Sequence, residues 1–261
     1  MTDRATPDPR PDRDLRVPEG VRVEVIVPVY NEEGILESQL VPVLEAIPPG
    51  FSVSVMENGS TDRTAAILEA LEERFPSLSH RSLPRPNYGL AMREGLFAAS
   101  GDILIVDDLD VLDTDFWSRG LALLAGGGAD IVQGSKVLAG REDRRPLHRR
   151  LATLTLTFLL RALLGFRGTD THGPKVMNGA AVARILPECT FELDLFPTEL
   201  VIRAQREGVR IREIPIHLRE IRATPLPLLK RVPRAMRDIL RLRRVLGGRA
   251  ARAGRRDAPD S

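Results

Sequence analysis

The sequence predicts an α/β domain, a mostly parallel sheet flanked by helices on both faces and followed by C-terminal amphipathic helices. Short runs rich in Val and Ile alternate with stretches of helical length from Val21 onward, the pattern of βαβ units. The runs end in loops of Asn, Asp, Gly and Ser, which punctuate strands. At 261 residues and 43% hydrophobic, the chain can also bury a full core, as one large domain or two small ones.

Residues 1–19 are rich in Pro, Asp and Arg with almost nothing apolar, and are expected to be a disordered leader outside the fold. VRVEVIV, from Val21 to Val27, reads as a buried strand, and Glu32–Ile47 as a helix closed by Pro48, Pro49 and Gly50. FSVSVM is a second strand, Asp62–Phe75 a helix, and a third strand falls near Ser79–Leu83. Tyr88–Ala99 reads as helix, Asp102–Val106 as the most apolar strand, Phe116–Leu124 as helix and Ala129–Gln133 as strand. Past Gly134 the rhythm breaks. The basic loop REDRRPLHRR leads into LATLTLTFLLRALLGF, with one charge in sixteen residues, which suits a buried helix pair or an interfacial segment. The loop GTDTHGPK, a helix over Pro197–Glu207 and a strand VRIREIPIHL follow. The expected organisation is a main domain over 20–222, a basic amphipathic helical segment over 223–248 and a disordered tail over 249–261.

Charge divides the chain. Residues 1–130 hold 11 arginines against 23 acids, a net charge of −12, so with an overall +2 the remainder carries +14. An acidic front can hold a divalent metal, while a basic back can face phosphates or an anionic membrane. Aromatics at 4% are too few for base-stacking surfaces, so no nucleic acid partner is expected. No uncharged stretch reaches 18 residues and the first residues lack an apolar core, so neither a membrane span nor a secretory signal is read, and a cytoplasmic location is expected. The one cysteine, Cys189, has no partner for an internal disulfide, and four scattered histidines make no zinc cluster.

In parallel sheets ligands bind beyond the carboxyl ends of the strands. There the first strand runs into PVYNEEG, the second into ENGSTDRT and the fourth into DDLDVLD. Asp62 with Thr64 can be plain helix capping, and Asn58-Gly59-Ser60 a plain turn. Asp107, Asp108 and Asp110 are harder to explain structurally, since crowded carboxylates are relieved by a cation, and hard oxygens suit Mg²⁺ or Mn²⁺ completed by substrate phosphates.

VIVPVYNEEG, ENGSTDRT, NYGLAMREG, SGDILIVDDLD, ADIVQGSK and REIPIHLREIR, in that order over about residues 21–222, resemble the family-2 glycosyltransferases of GT-A fold, particularly the polyprenyl (dolichyl) phosphate sugar synthases. The resemblance implies a Rossmann-like domain moving a hexose from a nucleoside diphosphate sugar, UDP-glucose or GDP-mannose, to a polyprenyl phosphate, with inversion. It places Pro28, Tyr30, Asn31 and Glu32 beside the nucleotide, with Glu57 and Asn58 where the family usually has two acids. Asp108 and Asp110 match the Asp-x-Asp motif that holds the metal; Asp113-Thr114-Asp115 is a second such triplet that can instead cap the next helix. Leu112 stands where the family often has a metal-binding Gln.

By the same resemblance Lys136 stands where an Arg is common, and Arg149 and Thr153 where an Arg and a Ser meet the acceptor phosphate. Arg222, or else Arg219, would be the late arginine over the phosphates, offset from the family's spacing by about one residue, and the family's Gly and Ser-Lys signature does not follow. Asp170 matches a family Asp, Glu199 a family Glu that can equally serve the helix dipole, and His172 either meets a substrate or stabilises its turn. Amphipathic helices would rest on the inner face of the cell membrane, making the protein cytoplasmic and peripheral. Two further readings stay open: transfer to a soluble hydroxyl acceptor, with Glu199 or Asp194 as base, and a non-catalytic sugar-nucleotide-binding or scaffold protein.

Overall fold

Each expected βα unit of the first half forms, in a computed structural model that describes residues 15–140, 147–192, 195–216 and 236–247. The chain runs β1 (Val23–Val29), α1 (Leu36–Ala46), β2 (Phe51–Glu57), α2 (Thr64–Arg74), β3 (Leu78–Ser82), α3 (Tyr88–Ala98), β4 (Ile103–Val106), α4 (Thr114–Ala125) and β5 (Ile131–Ser135). Then come α5 (Leu147–Leu164), β6 (Lys175–Asn178), α6 (Gly179–Ile185), α7 (Phe196–Arg206), β7 (Ile211–Pro215) and a helix over residues 236–247, here α8.

The strands form one seven-stranded sheet in the order β3-β2-β1-β4-β6-β5-β7. All neighbours are parallel except β6, which is antiparallel to both β4 and β5. Successive side chains on a strand point to opposite faces, and β1 uses this fully. Val23, Val25, Val27 and Val29 enter the layer built with Leu36 and Leu40 of α1, Leu68 of α2 and Phe116 of α4. Ile26 enters the opposite layer with Met92 of α3, Val182 of α6 and Leu200 of α7. Two glycines let helices close on the sheet: a Cβ at Gly95 of α3 would lie 2.5 Å from the Ile26 side chain, and one at Gly120 of α4 would lie 2.6 Å from Val176.

The second half departs from the sequence expectation in several places. The four-residue β6 was not anticipated, because a run beginning with Lys175 and ending in Asn178 shows neither alternation nor a continuous apolar stretch. The apolar segment after the basic loop lies in one 18-residue helix, Leu147–Leu164, rather than a pair, since that helix holds no Gly or Pro to break it. The chain also joins the fold before Gly20: Leu15, inside the expected leader, is buried in the core and Val17 packs beside it. The strand read from Val209 to Leu218 is confined to Ile211–Pro215, with 217 and 218 outside the described residues.

Of the expected basic segment over 223–248, residues 236–247 are described and are helical. Ile239, Leu242 and Leu246, spaced along one face, pack on Leu160 and Leu164 of α5 and Val201 of α7. The apolar stripe of α8 therefore serves the protein's own core, and Arg237, Arg241, Arg243 and Arg244 remain exposed. The expected tail over 249–261 lies outside the described residues.

Candidate active site

The sheet order reverses between β1 and β4, and the crevice at such a switch point is where open α/β sheets bind ligands. The loops after β1 and β2 are laced together at its mouth. Asn31 adopts a left-handed backbone, φ 53°, which Asn tolerates better than most residues. Its Oδ1 accepts from the Thr61 amide at 2.8 Å, and its own amide donates to Ser60 Oγ at 3.0 Å. The Glu32 amide donates to Thr64 Oγ1 at 2.8 Å. Pro28 is buried within β1 and Tyr30 is 41% exposed beside the crevice. Glu57 and Asn58 are both buried: Glu57 Oε1 accepts from the Ser60 amide, and Asn58 Oδ1 accepts from the Asn87 amide at 2.6 Å.

The carboxylates after β4 divide into separate roles. Asp107 is buried and holds the turn: Oδ1 accepts from the Asp108 amide at 2.8 Å, and Oδ2 from Trp117 Nε1 at 2.7 Å and the Asp113 amide at 3.1 Å. Burial drives its pKa well above the usual carboxylate range, against the hydrogen bond from Trp117. Asp113 of the second Asp-x-Asp triplet caps α4 by accepting from the Phe116 amide. Asp108 and Asp110 are half-buried at the strand end. Leu112 buries its side chain in the core at φ 36°, a conformation costing about 1–2 kcal/mol for a residue with a Cβ. In place of a metal-binding amide this position supplies an apolar anchor for the loop.

The donor set fits a hard cation. Among the described residues no three His, Cys, Asp or Glu side chains converge as a metal cage. Asp108 and Asp110 are two half-buried carboxylates at the end of β4, hard oxygen donors of the kind of which Mg²⁺ or Mn²⁺ takes one or two beside a diphosphate.

On the far side of the crevice Lys136 and Asp170 come together, as the Lys136 amide donates to Asp170 Oδ2 at 3.3 Å. Asp170 also accepts from the His172 amide at 2.9 Å, and His172 Nδ1 lies 3.0 Å from Thr171 Oγ1. Glu213 of β7 clasps the same loop, accepting from the Thr169 amide and hydroxyl and from the Asp170 amide. Beneath it the buried Lys175 ammonium donates to the carbonyls of Thr171 and Gly173 at 3.1 and 2.8 Å. Burial depresses its pKa to about 8, although Asp170 and Asp108 work in the opposite sense.

Glu199 is fully buried. It accepts from the Thr190 and Phe191 amides on one oxygen and from the Arg203 guanidinium on the other. Every favourable position on the carboxylate is engaged, so Glu199 is a structural anchor and not a free base. Arg149 lies on α5 and Thr153 is half-buried one turn on. Asp194, Arg219 and Arg222 lie outside the described residues. Sequence reasoning assigned nothing to Tyr88, Trp117 or Glu213. Their contacts span 20, 10 and 44 residues, and no local pattern announces such pairs.

Residues 24–185 match the family model described as glycosyl transferase family 2. The chain belongs to glycosyl transferase family 2. Among curated family members, glycosyltransferase AglD of Haloferax volcanii is 29% identical over 76% of this chain, which spans a third (33%) of that protein's length. The dolichyl-phosphate beta-glucosyltransferase of Saccharomyces cerevisiae is 25% identical over 88% of this chain and 77% of its own. Among solved structures, glucosyl-3-phosphoglycerate synthase from Mycobacterium tuberculosis, in complex with Mn²⁺, UDP and glucosyl-3-phosphoglycerate, superposes with a TM-score of 0.58 at 22% identity, covering 93% of this chain and 82% of that one. The last likeness shows the fold, GT-A. No helix among the described residues is long and apolar enough to cross a membrane.

Proposed function

We propose that this family-2 glycosyltransferase is metal-dependent and inverting, and moves a hexose from UDP-glucose or GDP-mannose to a polyprenyl phosphate at the cytoplasmic face of the membrane. The observation that carries this reading is the division of labour after β4, where Asp107 locks the turn from below and leaves Asp108 and Asp110 at the mouth of the switch-point crevice. In this reading Pro28, Tyr30, Asn31 and Glu32 border the nucleotide, and Glu57 and Asn58 shape the pocket for its base. Asp108 and Asp110 hold Mg²⁺ or Mn²⁺, which when bound offsets the charge that develops on the departing nucleoside diphosphate.

The acceptor phosphate oxygen attacks the anomeric carbon, and the bond from that carbon to the diphosphate breaks on the opposite side with its electron pair. A phosphate oxyanion carries no proton to remove, so positioning and electrostatics suffice. Lys136, Arg149 and Arg222 serve to bring two anions together. Supporting a lipid acceptor are the dolichyl-phosphate activity in the name of the yeast relative and an unusual face of α5, where Leu151, Leu154 and Phe158 are 65%, 54% and 68% exposed. With the exposed arginines of α8, such a face suits an anionic bilayer surface. A soluble hydroxyl acceptor needs a carboxylate base; of the two candidates Glu199 is committed to Arg203 and two amides, and Asp194 lies outside the described residues.

The test is transfer from each radiolabelled donor to a short polyprenyl phosphate with Mn²⁺ present. Incorporation into lipid is expected, and Arg149→Ala is expected to reduce acceptor use by roughly 100-fold with donor affinity unchanged. Sugar bound but passed only to soluble hydroxyls would overturn the acceptor, and no donor binding at all would favour a non-catalytic scaffold.

A further inference from the structure

The N-terminus of α3 is tied to three separate parts of the crevice. Asn87, its N-cap, accepts from the Leu90 amide at 3.0 Å, donates its own amide to Asn58 Oδ1 at 2.6 Å, and donates from Nδ2 to Glu192 Oε2 at 2.9 Å. The next residue, Tyr88, donates its hydroxyl to Asp108 Oδ1 at 2.7 Å. One helix end therefore touches the pocket side chain after β2, the carboxylate after β4 and the loop before α7.

An aspartate on a strand end rotates about its last bond unless something holds it. Here the phenol holds one oxygen of Asp108, which restrains that rotation and leaves the second oxygen for a ligand. A hydrogen bond from outside the coordination sphere that fixes a ligand's orientation is commonly worth 10–100-fold in metal affinity. Tyr88 also cannot move independently of Asn87, whose amide is held by Asn58.

We propose that Tyr88 is a positioning residue for the divalent cation, orienting Asp108 through its hydroxyl and linking that carboxylate, by way of Asn87, to the nucleotide-pocket residue Asn58. The proposal rests on the metal-dependent reading of Asp108 given above. Its consequence is that occupation of the base pocket and tight binding of the cation depend on the same helix end.

The test is Mn²⁺ affinity, read from the electron paramagnetic resonance of free Mn²⁺ in the presence of saturating UDP and, separately, saturating GDP, for the parent chain, Tyr88→Phe and Asp108→Ala. Thermal melting without metal is measured on each. Tyr88→Phe keeps the ring and removes only the donor, so a melting temperature within about 2 °C of the parent and an Mn²⁺ affinity weakened by about 10-fold or more are expected. Asp108→Ala should abolish detectable binding. Parental Mn²⁺ affinity in Tyr88→Phe, with binding lost in Asp108→Ala, overturns the role of Tyr88 and leaves the metal assignment standing. Retained binding in Asp108→Ala overturns the metal assignment and this proposal with it. A loss of affinity in Tyr88→Phe accompanied by a melting drop well beyond 2 °C assigns Tyr88 to the fold alone and also overturns the proposal.

Discussion

The two halves of the sheet hold their loops by different means. On the β1-β2-β4 side, short polar side chains close on backbone amides close by in sequence or in the neighbouring loop: Asp107 on Asp108 and Asp113, Asn31 on Thr61, and Asn58 on Asn87. On the β5-β6-β7 side, long charged side chains reach in: Lys175 is buried under the Thr171–Gly173 carbonyls and Glu199 is buried against Arg203, while half-buried Glu213 clasps Thr169. The first arrangement leaves Asp108 and Asp110 half-buried at the end of β4. The second buries charge at a cost that only complete pairing offsets, and so makes the basic half more sensitive to single substitutions.

That contrast predicts its own largest effect. Glu199→Ala leaves the Arg203 guanidinium buried without its partner, and global stability by urea unfolding is expected to fall by about 3–5 kcal/mol. A loss under 1 kcal/mol would show that the buried pair contributes no more than a surface one and would remove the contrast. On the acidic side the expected loss is smaller. Trp117→Phe deletes the indole donor to Asp107 Oδ2 and should cost about 1–3 kcal/mol by the same measurement, because a buried carboxylate oxygen loses a partner. A larger loss than for Glu199→Ala would reverse the ranking of the two halves. The smallest effect on stability belongs to the exposed face of α5. Leu151→Ser with Phe158→Ser is expected to leave unfolding within about 0.5 kcal/mol. The same pair should weaken sedimentation with anionic vesicles roughly tenfold, since apolar surface that would enter the interface is removed. Unchanged vesicle binding would detach the membrane from this face.

The same contrast explains what was legible in the sequence. The β1 valines alternate with period 2 and the helices between strands carry clear stops, so the first half could be read element by element and Asp108 and Asp110 stood out after an apolar strand. β6 could not be read, because its first residue is a lysine, whose burial is possible only once the Thr171 and Gly173 carbonyls accept from its ammonium. Leu15 was hidden in a polar leader, and its burial depends on a core assembled from residues far along the chain. Glu199 was visible as an acid at a helix start, but the partner that occupies it, Arg203, becomes meaningful only when both are buried. Tyr88 lay within a recognisable motif, while its contact with Asp108 depends on how α3 approaches β4.

The central claim is that Asp108 and Asp110 make donor binding depend on a divalent cation. Calorimetric titration of UDP-glucose and of GDP-mannose into the parent chain and Asp110→Ala, each with and without Mn²⁺, tests it directly. The account predicts that one donor binds the parent chain at least about 10-fold more tightly with Mn²⁺ than without. That gain should vanish in Asp110→Ala while the circular dichroism spectrum stays unchanged. Equal affinity with and without Mn²⁺ in the parent, or a full Mn²⁺ gain in Asp110→Ala, would contradict it.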